Sequence, residues 1–174
     1  MDHFIGFLNS IEYKNPKLID VFKQAFLESV EEVKPRDYGA GILFVCPSTK
    51  KVLLLLRAEG GEDANVWCSL GGKGELGETP METAVREVWE EGQIGPKQYK
   101  LVEEPLRINQ NTPTFKFITY LGLVDQEFSP VINYEHTDAK WFSFDEIWQI
   151  PLHYGIKAIF TDEKNKNFIN KYLG

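Results

Sequence analysis

Apolar residues recur along this chain at two spacings, and the spacing changes from segment to segment. Leu18, Val21, Phe22, Ala25, Phe26, Val30 and Val33 fall three and four residues apart, which predicts an amphipathic helix over Lys17–Val33, closed by Pro35. Ile42–Cys46 and Lys51–Arg57 are short aliphatic runs on either side of Pro47, Ser48 and Thr49, and read as two strands joined by a turn. Ala58–Asn65 is polar and contains glycine, hence a loop. Thr114–Val124 alternates in its first half and predicts a strand, as does the shorter Ala139–Ser143. Ser143 and Glu146 have capping-box spacing for a short helix beginning near Phe144, and Phe168, Ile169, Tyr172 and Leu173 predict a last helix. The result is a mixed α/β domain around one sheet, with residues 1–37 as an N-terminal helical extension and 38–174 as a single globular unit.

One segment breaks this ordinary pattern. Gly71, Gly72, Gly74 and Gly77 crowd a loop in which the backbone can turn tightly and approach a ligand. Thr79-Pro80-Met81-Glu82 then predicts a helix start, with Thr79 as N-cap, Pro80 at the first position and Glu82 closing a capping box. Met81, Ala84, Val85 and Val88 mark the buried face, and Gly92 the end. Beside that face stand Glu87, Glu90 and Glu91, three like charges at i, i+3 and i+4 that oppose helix formation unless something offsets them. Arg86 can neutralise one. A hard divalent cation such as Mg²⁺, which prefers carboxylate oxygens and bridges phosphates, suits the remainder.

An acidic helix face on its own is usually a solvated surface. Here, however, Gly72, Glu78 and the run Arg86-Glu87-Val88-Trp89-Glu90-Glu91 keep a fixed register. Average residue frequencies produce that register by chance on the order of 10⁻⁵ of the time in such a chain, so we read a site. The register resembles the Nudix box, G-x5-E-x7-R-E-U-x-E-E-x-G-U with U a bulky aliphatic, over Gly72–Ile94. The box's second glycine falls on Gln93, immediately after Gly92, which suggests a helix ending about one residue differently; Leu70 stands where many members have proline. The similarity extends over roughly Gly39 to Ile147.

The resemblance implies a Nudix fold, an α/β/α sandwich with a mixed β-sheet and a loop–helix–loop catalytic motif. It implies a metal-dependent hydrolase that cleaves a diphosphate linkage. Glu87, Glu90 and Glu91 would then be metal ligands, with a backbone carbonyl of Gly71 or Gly72, for Mg²⁺ or in its place Mn²⁺. Glu78 and Arg86 would be an ion pair orienting loop against helix, and Arg57 and Lys73 phosphate contacts. Glu135, ahead of the Ala139–Ser143 strand, resembles the outlying glutamate that is general base in some members; Glu103 and Glu104 are alternatives. His136 and His153 are read as surface or partly packed histidines. Trp67, Phe115, Phe117 and Tyr134 are candidates for stacking on a base.

Composition narrows the partners. A net charge of −7 disfavours long nucleic acid and leaves a small nucleotide, with triphosphates preferred over nucleoside diphosphate sugars and dinucleoside polyphosphates because GGKGELGETP resembles the triphosphate-acting branch, MutT-like, of the family. Cys46 and Cys68 are too few for a disulfide framework, and the N-terminus lacks a signal-peptide core, so a cytoplasmic protein without membrane attachment is expected. The apolar stripe of Lys17–Val33 could also serve a homodimer. Two rivals share the scaffold: prenyl diphosphate isomerisation, for which no cysteine constellation is evident, and a binding module without turnover, which usually lacks the box acids that this chain keeps.

Overall fold

The computed structural model describes residues 38–60, 63–106, 110–112 and 115–173, with backbone alone over 110–112. The helix expected over Lys17–Val33, and the extension 1–37 that contains it, lie outside the described residues.

The sheet is organised around β1, Tyr38–Cys46, every residue of which is buried. A strand covered on both faces reads as a continuous apolar run, which is why alternation is missing from ILFVC. β1 runs parallel to β7, Phe115–Leu123, from Tyr38 opposite Lys116 to Val45 opposite Leu123. Its other edge is shared by two antiparallel partners. β2, Lys51–Arg57, joins at Val45–Cys46, and β4, Leu70–Lys73, at Gly39–Ile42. The two-residue β3, Trp67–Cys68, and β8, His136–Ser143, pair with β2, while β5, Lys100–Val102, and β6, Gln110–Thr112, pair with β7. Both parallel and antiparallel pairs are present, so the sheet is mixed.

Helices cover both faces. Leu43, Val45, Val52, Leu54 and Leu121 join Ile156, Ile159 and Phe160 of α2, Tyr154–Thr161, and Ile169 and Leu173 of α3, Glu163–Leu173, in one core. The alternate side chains of β1 face the box helix, whose α1 span is Pro80–Gly92; Ala84 and Val88 are fully buried there against β1 and β4. Each such aliphatic side chain contributes about 1.5–3 kcal/mol by leaving water. The architecture is the expected α/β/α sandwich. No helix among the described residues is long and apolar enough to cross a membrane.

Several boundaries differ from the sequence reading. β1 begins at Tyr38, four residues before Ile42, and the start of the glycine-rich segment is strand β4 instead of loop. The two corrections have one cause, because Gly41 stands opposite Gly71 and Gly39 lies beside the Gly72 carbonyl at separations that a Cβ on Gly39, Gly41 or Gly71 would prevent. β8 begins at His136, three residues before Ala139, because pairing continues through a register shift at Leu56/Arg57. The Ser143–Glu146 box forms, with Ser143 N donating to Glu146 Oε2 at 2.8 Å, but it opens a 3-10 turn, Glu146–Gln149, and not an α-helix. Helix α2 was not foreseen. The helix end also needs correcting: Gly92 is still helical, and Gln93 itself takes the left-handed C-cap at φ 50°. Gly92 is small for packing, since a Cβ there would meet Leu70 Cδ2 at 2.8 Å.

Candidate active site

The site grows from the junction of β4 and α1. Thr79 caps the helix by accepting from Glu82 N, while Glu82 Oε2 accepts from Thr79 N at 2.8 Å, so the capping box fixes where the first turn begins. The buried stripe then runs through Thr83, Ala84, Val88 and Glu91, with Met81 and Val85 only half-buried. The helix is thus rotated from the purely apolar expectation. Glu91 sits within the buried stripe and not beside it.

Two glycines receive that face. Gly71, at φ 147°, lies so close to β1 that a Cβ would come within 2.4 Å of Gly41 Cα; its N–H turns away from β1 and donates to Glu91 Oε2 at 2.7 Å. Gly72 lies under Glu87, whose carboxyl would be 2.6 Å from an added Cβ. The Gly72 carbonyl is directed at β1, within 2.8 Å of where a Cβ on Gly39 would stand.

Arg86 uses all five of its N–H donors. Nε and Nη2 donate to the two oxygens of Glu78 at 2.7 and 3.1 Å, Nη1 to Glu87 at 2.7 Å and Glu90 at 3.1 Å, and Nη2 also to the Lys73 carbonyl at 3.1 Å. Glu78 in turn accepts from Thr83 Oγ1 at 2.7 Å and Glu75 N at 2.9 Å, and its carbonyl accepts from the Tyr38 hydroxyl at 2.7 Å. Tyr38 and Thr83 were missed in the sequence. Their only signal was position: a hydroxyl one turn into the helix, and an aromatic at the start of a strand.

The charges are unevenly compensated. Burial works against the charge on Glu78, yet the Arg86, Glu75 and Thr83 bonds outweigh it and hold its pKa below the usual range. Glu91 is the opposite case. Burial raises its pKa well above normal, and the carboxylates of Glu87 and Glu135 add to this against the Gly71 N–H and the Arg57 charge. Burial likewise raises that of Glu87, with Glu90 and Glu135 pushing the same way and Arg86 opposing.

The structure therefore gathers Glu87, Glu91 and Glu135 into one electrostatic neighbourhood. Glu90 is more exposed and turned to Arg86, so the three helix glutamates do not converge on a single point; among the described residues no three such side chains form a metal cage. Glu135 is exposed, in a loop pinned to the end of α1 by Asn133 N donating to the Glu91 carbonyl at 3.2 Å and Val131 N to the Gly92 carbonyl at 3.1 Å. Glu103 and Glu104 are exposed just past β5, on the edge of β7 away from β1. Lys73 presents an exposed side chain at the end of β4. Arg57 stands at the β2–β8 irregularity, where a bulge redirects a side chain, close enough to Glu91 to act on its charge.

A cleft opens on the sheet face opposite α1. Arg57, Ser69 and Gly71 line one part of it, Phe115 and Phe117 of β7 another, and Tyr154 of α2 a third. Gly71 belongs to both cleft and carboxylate cluster. Two other aromatic candidates lie elsewhere. Trp67 is a core residue edge-on to Phe142 at 4.8 Å, and Tyr134 is 88% exposed beside Glu135. His136 is not a surface residue either. It is buried with Nε2 3.7 Å from Cys68 Sγ, and burial together with Arg57 pushes its pKa down to about 4.

The arrangement is a mixed sheet between helices, with a glycine-rich segment feeding an acidic helix. Residues 35–163 match the family model described as NUDIX domain. The chain belongs to the Nudix family. It is 31% identical over 147 residues to dihydroneopterin triphosphate diphosphatase of Haemophilus influenzae, covering 76% of this chain and 84% of that one. It is 29% identical over 128 residues to a Mycobacterium tuberculosis protein provisionally assigned as 8-oxo-dGTP diphosphatase 3, covering 70% of this chain and only 59% of the relative's length. Among solved structures, a C. elegans Ap4A hydrolase superposes with a TM-score of 0.65 at 18% identity over 77% of this chain and 99% of its own. A MutT protein from Methanosarcina mazei gives 0.60 at 25% identity over 77% and 96%.

Proposed function

We propose that this chain is a Mg²⁺-dependent hydrolase that cleaves a nucleoside or deoxynucleoside triphosphate to monophosphate and pyrophosphate. The observation that carries the reading is Gly71, whose N–H binds the buried Glu91 carboxylate while its backbone borders an aromatic cleft. The carboxylates suited to diphosphate chemistry and an aromatic-lined cleft thus meet at one residue.

The donor set fits a hard divalent cation. Glu91 is a buried and Glu87 a partly buried carboxylate, both with raised pKa; Arg86 compensates Glu87 only in part, and Gly72 leaves the space over which Glu87 lies. Glu87 and Glu91 would hold the ion, Glu90 would join them on leaving its pair with Arg86, and Mn²⁺ would substitute. Because the Gly72 carbonyl is directed at β1, that of Gly71 is the better backbone ligand. When bound, such an ion polarises the phosphoryl oxygens, offsets leaving-group charge and makes water a better nucleophile. Arg86 and Glu78 orient the ligands by locking loop to helix. Arg57, lining the cleft, and Lys73, at its rim strand, would contact phosphate oxygens.

Glu135 is the general base in this reading, taking a proton from the attacking water. The carboxylate that Glu87 and Glu91 both sense from outside their helix is that of Glu135, whereas Glu103 and Glu104 occupy the far strand edge. Glu135→Gln should therefore lower kcat far more than it changes KM. Near-normal turnover in that variant, with loss in Glu103→Gln or Glu104→Gln, would move the role.

Both curated relatives are named for triphosphate substrates, which supports that class over the runners-up. The Ap4A hydrolase fold neighbour keeps dinucleoside polyphosphates as the second choice, ahead of nucleoside diphosphate sugars. The test is a Mg²⁺-containing panel of all three classes with products identified by mass. Release of pyrophosphate from triphosphates supports the reading; turnover of the other classes alone moves the substrate, and tight binding without release makes the chain a binding module.

A further inference from the structure

His153 has no part in that chemistry, yet both its backbone and its ring are held in place. Its backbone N–H donates to the Trp67 carbonyl at 2.9 Å, and Trp67 N donates to the Pro151 carbonyl at 2.8 Å, which ties the segment to β3. Its carbonyl accepts from Lys157 N at 3.0 Å. The ring is engaged at both nitrogens. Nδ1 accepts from Gly155 N at 3.2 Å and so caps α2, while Nε2 lies 3.4 Å from Asp63 Oδ2 in the loop that follows β2. Asp63 holds a left-handed backbone at φ 54°, and Asn65, whose N–H donates to the Arg57 carbonyl at 3.1 Å, another at φ 60°. For residues that are not glycine, such conformations persist where surrounding contacts hold them.

The imidazole therefore ties the loop leaving Arg57 to the first turn of α2, and Arg57 and His153 both line the cleft. Its ring face carries Tyr154, with centroids 4.2 Å apart at a 39° tilt. Tyr154 is 55% exposed although it is large and half apolar, and it lines the cleft that Phe115 and Phe117 enter from β7. Acting as an acceptor at Nδ1 requires the neutral ring, and burial lowers the His153 pKa in that sense.

We propose that Tyr154 is a specificity-determining residue that stacks on the planar heterocycle of the substrate, and that His153 is the positioning residue that sets its ring at the cleft wall. The inference rests on the triphosphate reading above and adds the group that reads the part of the substrate away from the phosphates. An exposed tyrosine held by a doubly bonded imidazole is pre-organised, so binding orders fewer side-chain rotors. A loose surface tyrosine would give little.

The test separates ring recognition from phosphate recognition. Calorimetry measures Kd for the α,β-methylene analogue of dGTP and for inorganic tripolyphosphate, which has no ring, with Mg²⁺ present. Base–aromatic stacking of about 1–3 kcal/mol corresponds to about 5- to 150-fold in Kd. Tyr154→Ala should weaken the analogue within that range and leave tripolyphosphate unchanged; Tyr154→Phe should stay near wild type. His153→Ala should weaken the analogue in the same direction, and His153→Asn, whose side chain can also cap a helix, should restore part of the loss. In dGTP turnover the same variants should raise KM with little change in kcat. Equal weakening of both ligands, or unchanged analogue binding in Tyr154→Ala, overturns the inference. Failure of the wild type to hydrolyse dGTP while Tyr154→Ala still weakens the analogue selectively would instead reject the triphosphate reading and keep the clamp.

Discussion

Arg86→Ala is the perturbation whose size the structure defines best. The side chain is 8% exposed and spends five N–H donors on three carboxylates and a carbonyl. Deleting it strands Glu78, 12% exposed, and Glu87, 14% exposed, whereas Glu90 at 53% can return to water. Breaking a buried charge pair by removing one partner costs about 3–5 kcal/mol. For a chain of this size that lowers Tm by about 6–20 °C. Arg86→Lys should recover only part of this, because an ammonium cannot reproduce the planar fork. The assay is denaturant unfolding followed by circular dichroism in EDTA, for the wild type, Arg86→Ala, Glu78→Gln and the double variant. Since Glu78 takes two of the five bonds, the cycle should give a coupling of at least ~1.5 kcal/mol. Added Mg²⁺ should narrow the deficit of Arg86→Ala, because the cation replaces positive charge beside Glu87. A deficit under ~1 kcal/mol in EDTA, or coupling near zero, would refute Arg86 as the keystone of this junction.

Three further outcomes follow from the same geometry. In metal-free protein, Glu91→Gln keeps an acceptor for Gly71 N–H but removes a buried charge, and should stabilise by about 0.5–2 kcal/mol at neutral pH. Because the folded pKa of Glu91 is raised, the native state holds the proton more tightly and the wild type loses stability as pH rises from the ordinary carboxylate range; the gap to Glu91→Gln should close as pH falls to about 4, and a constant gap from pH 8 to 4 would contradict this. Gln93→Gly should raise stability by about 0.5–1 kcal/mol, the left-handed cost of about 1–2 less the entropy of glycine, and a lowered Tm would show Gln93 unstrained. Gly72→Ala places a methyl 2.6 Å from the flexible end of Glu87, so Tm should move little while turnover falls at least ~10-fold; retained turnover would free Glu87 of its role.

What could be read from the sequence was what is encoded locally. Thr79, Pro80 and Glu82 specify a helix start with no help from the fold, and the register from Gly72 to Glu91 fixed which side chains the helix would bring to the loop. Contacts that need a distant partner were not legible. Glycines disfavour strands in isolation, so β4 could not be told from loop until Gly39–Ile42 stood opposite it. The first turn of α2 depends on His153 as cap, an unusual residue there, and its periodicity is short. The cleft draws on Arg57, Gly71, Phe115 and Tyr154, positions far apart in the chain that only the parallel β1–β7 pairing and α2 bring near one another. The burial of Glu91 likewise came from helix rotation against β4, a tertiary effect that no local pattern announces.

In the proposed function the carboxylates of α1 perform metal-dependent cleavage of a diphosphate linkage. Pyrophosphate release from a deoxynucleoside triphosphate should be measured for the wild type, Glu90→Gln and Glu91→Gln, with Mg²⁺ and with EDTA. Turnover is expected only with Mg²⁺, with a loss of at least ~10²-fold in either variant while circular dichroism shows the fold intact. Near-normal turnover in both variants, or wild-type activity undiminished in EDTA, would contradict it.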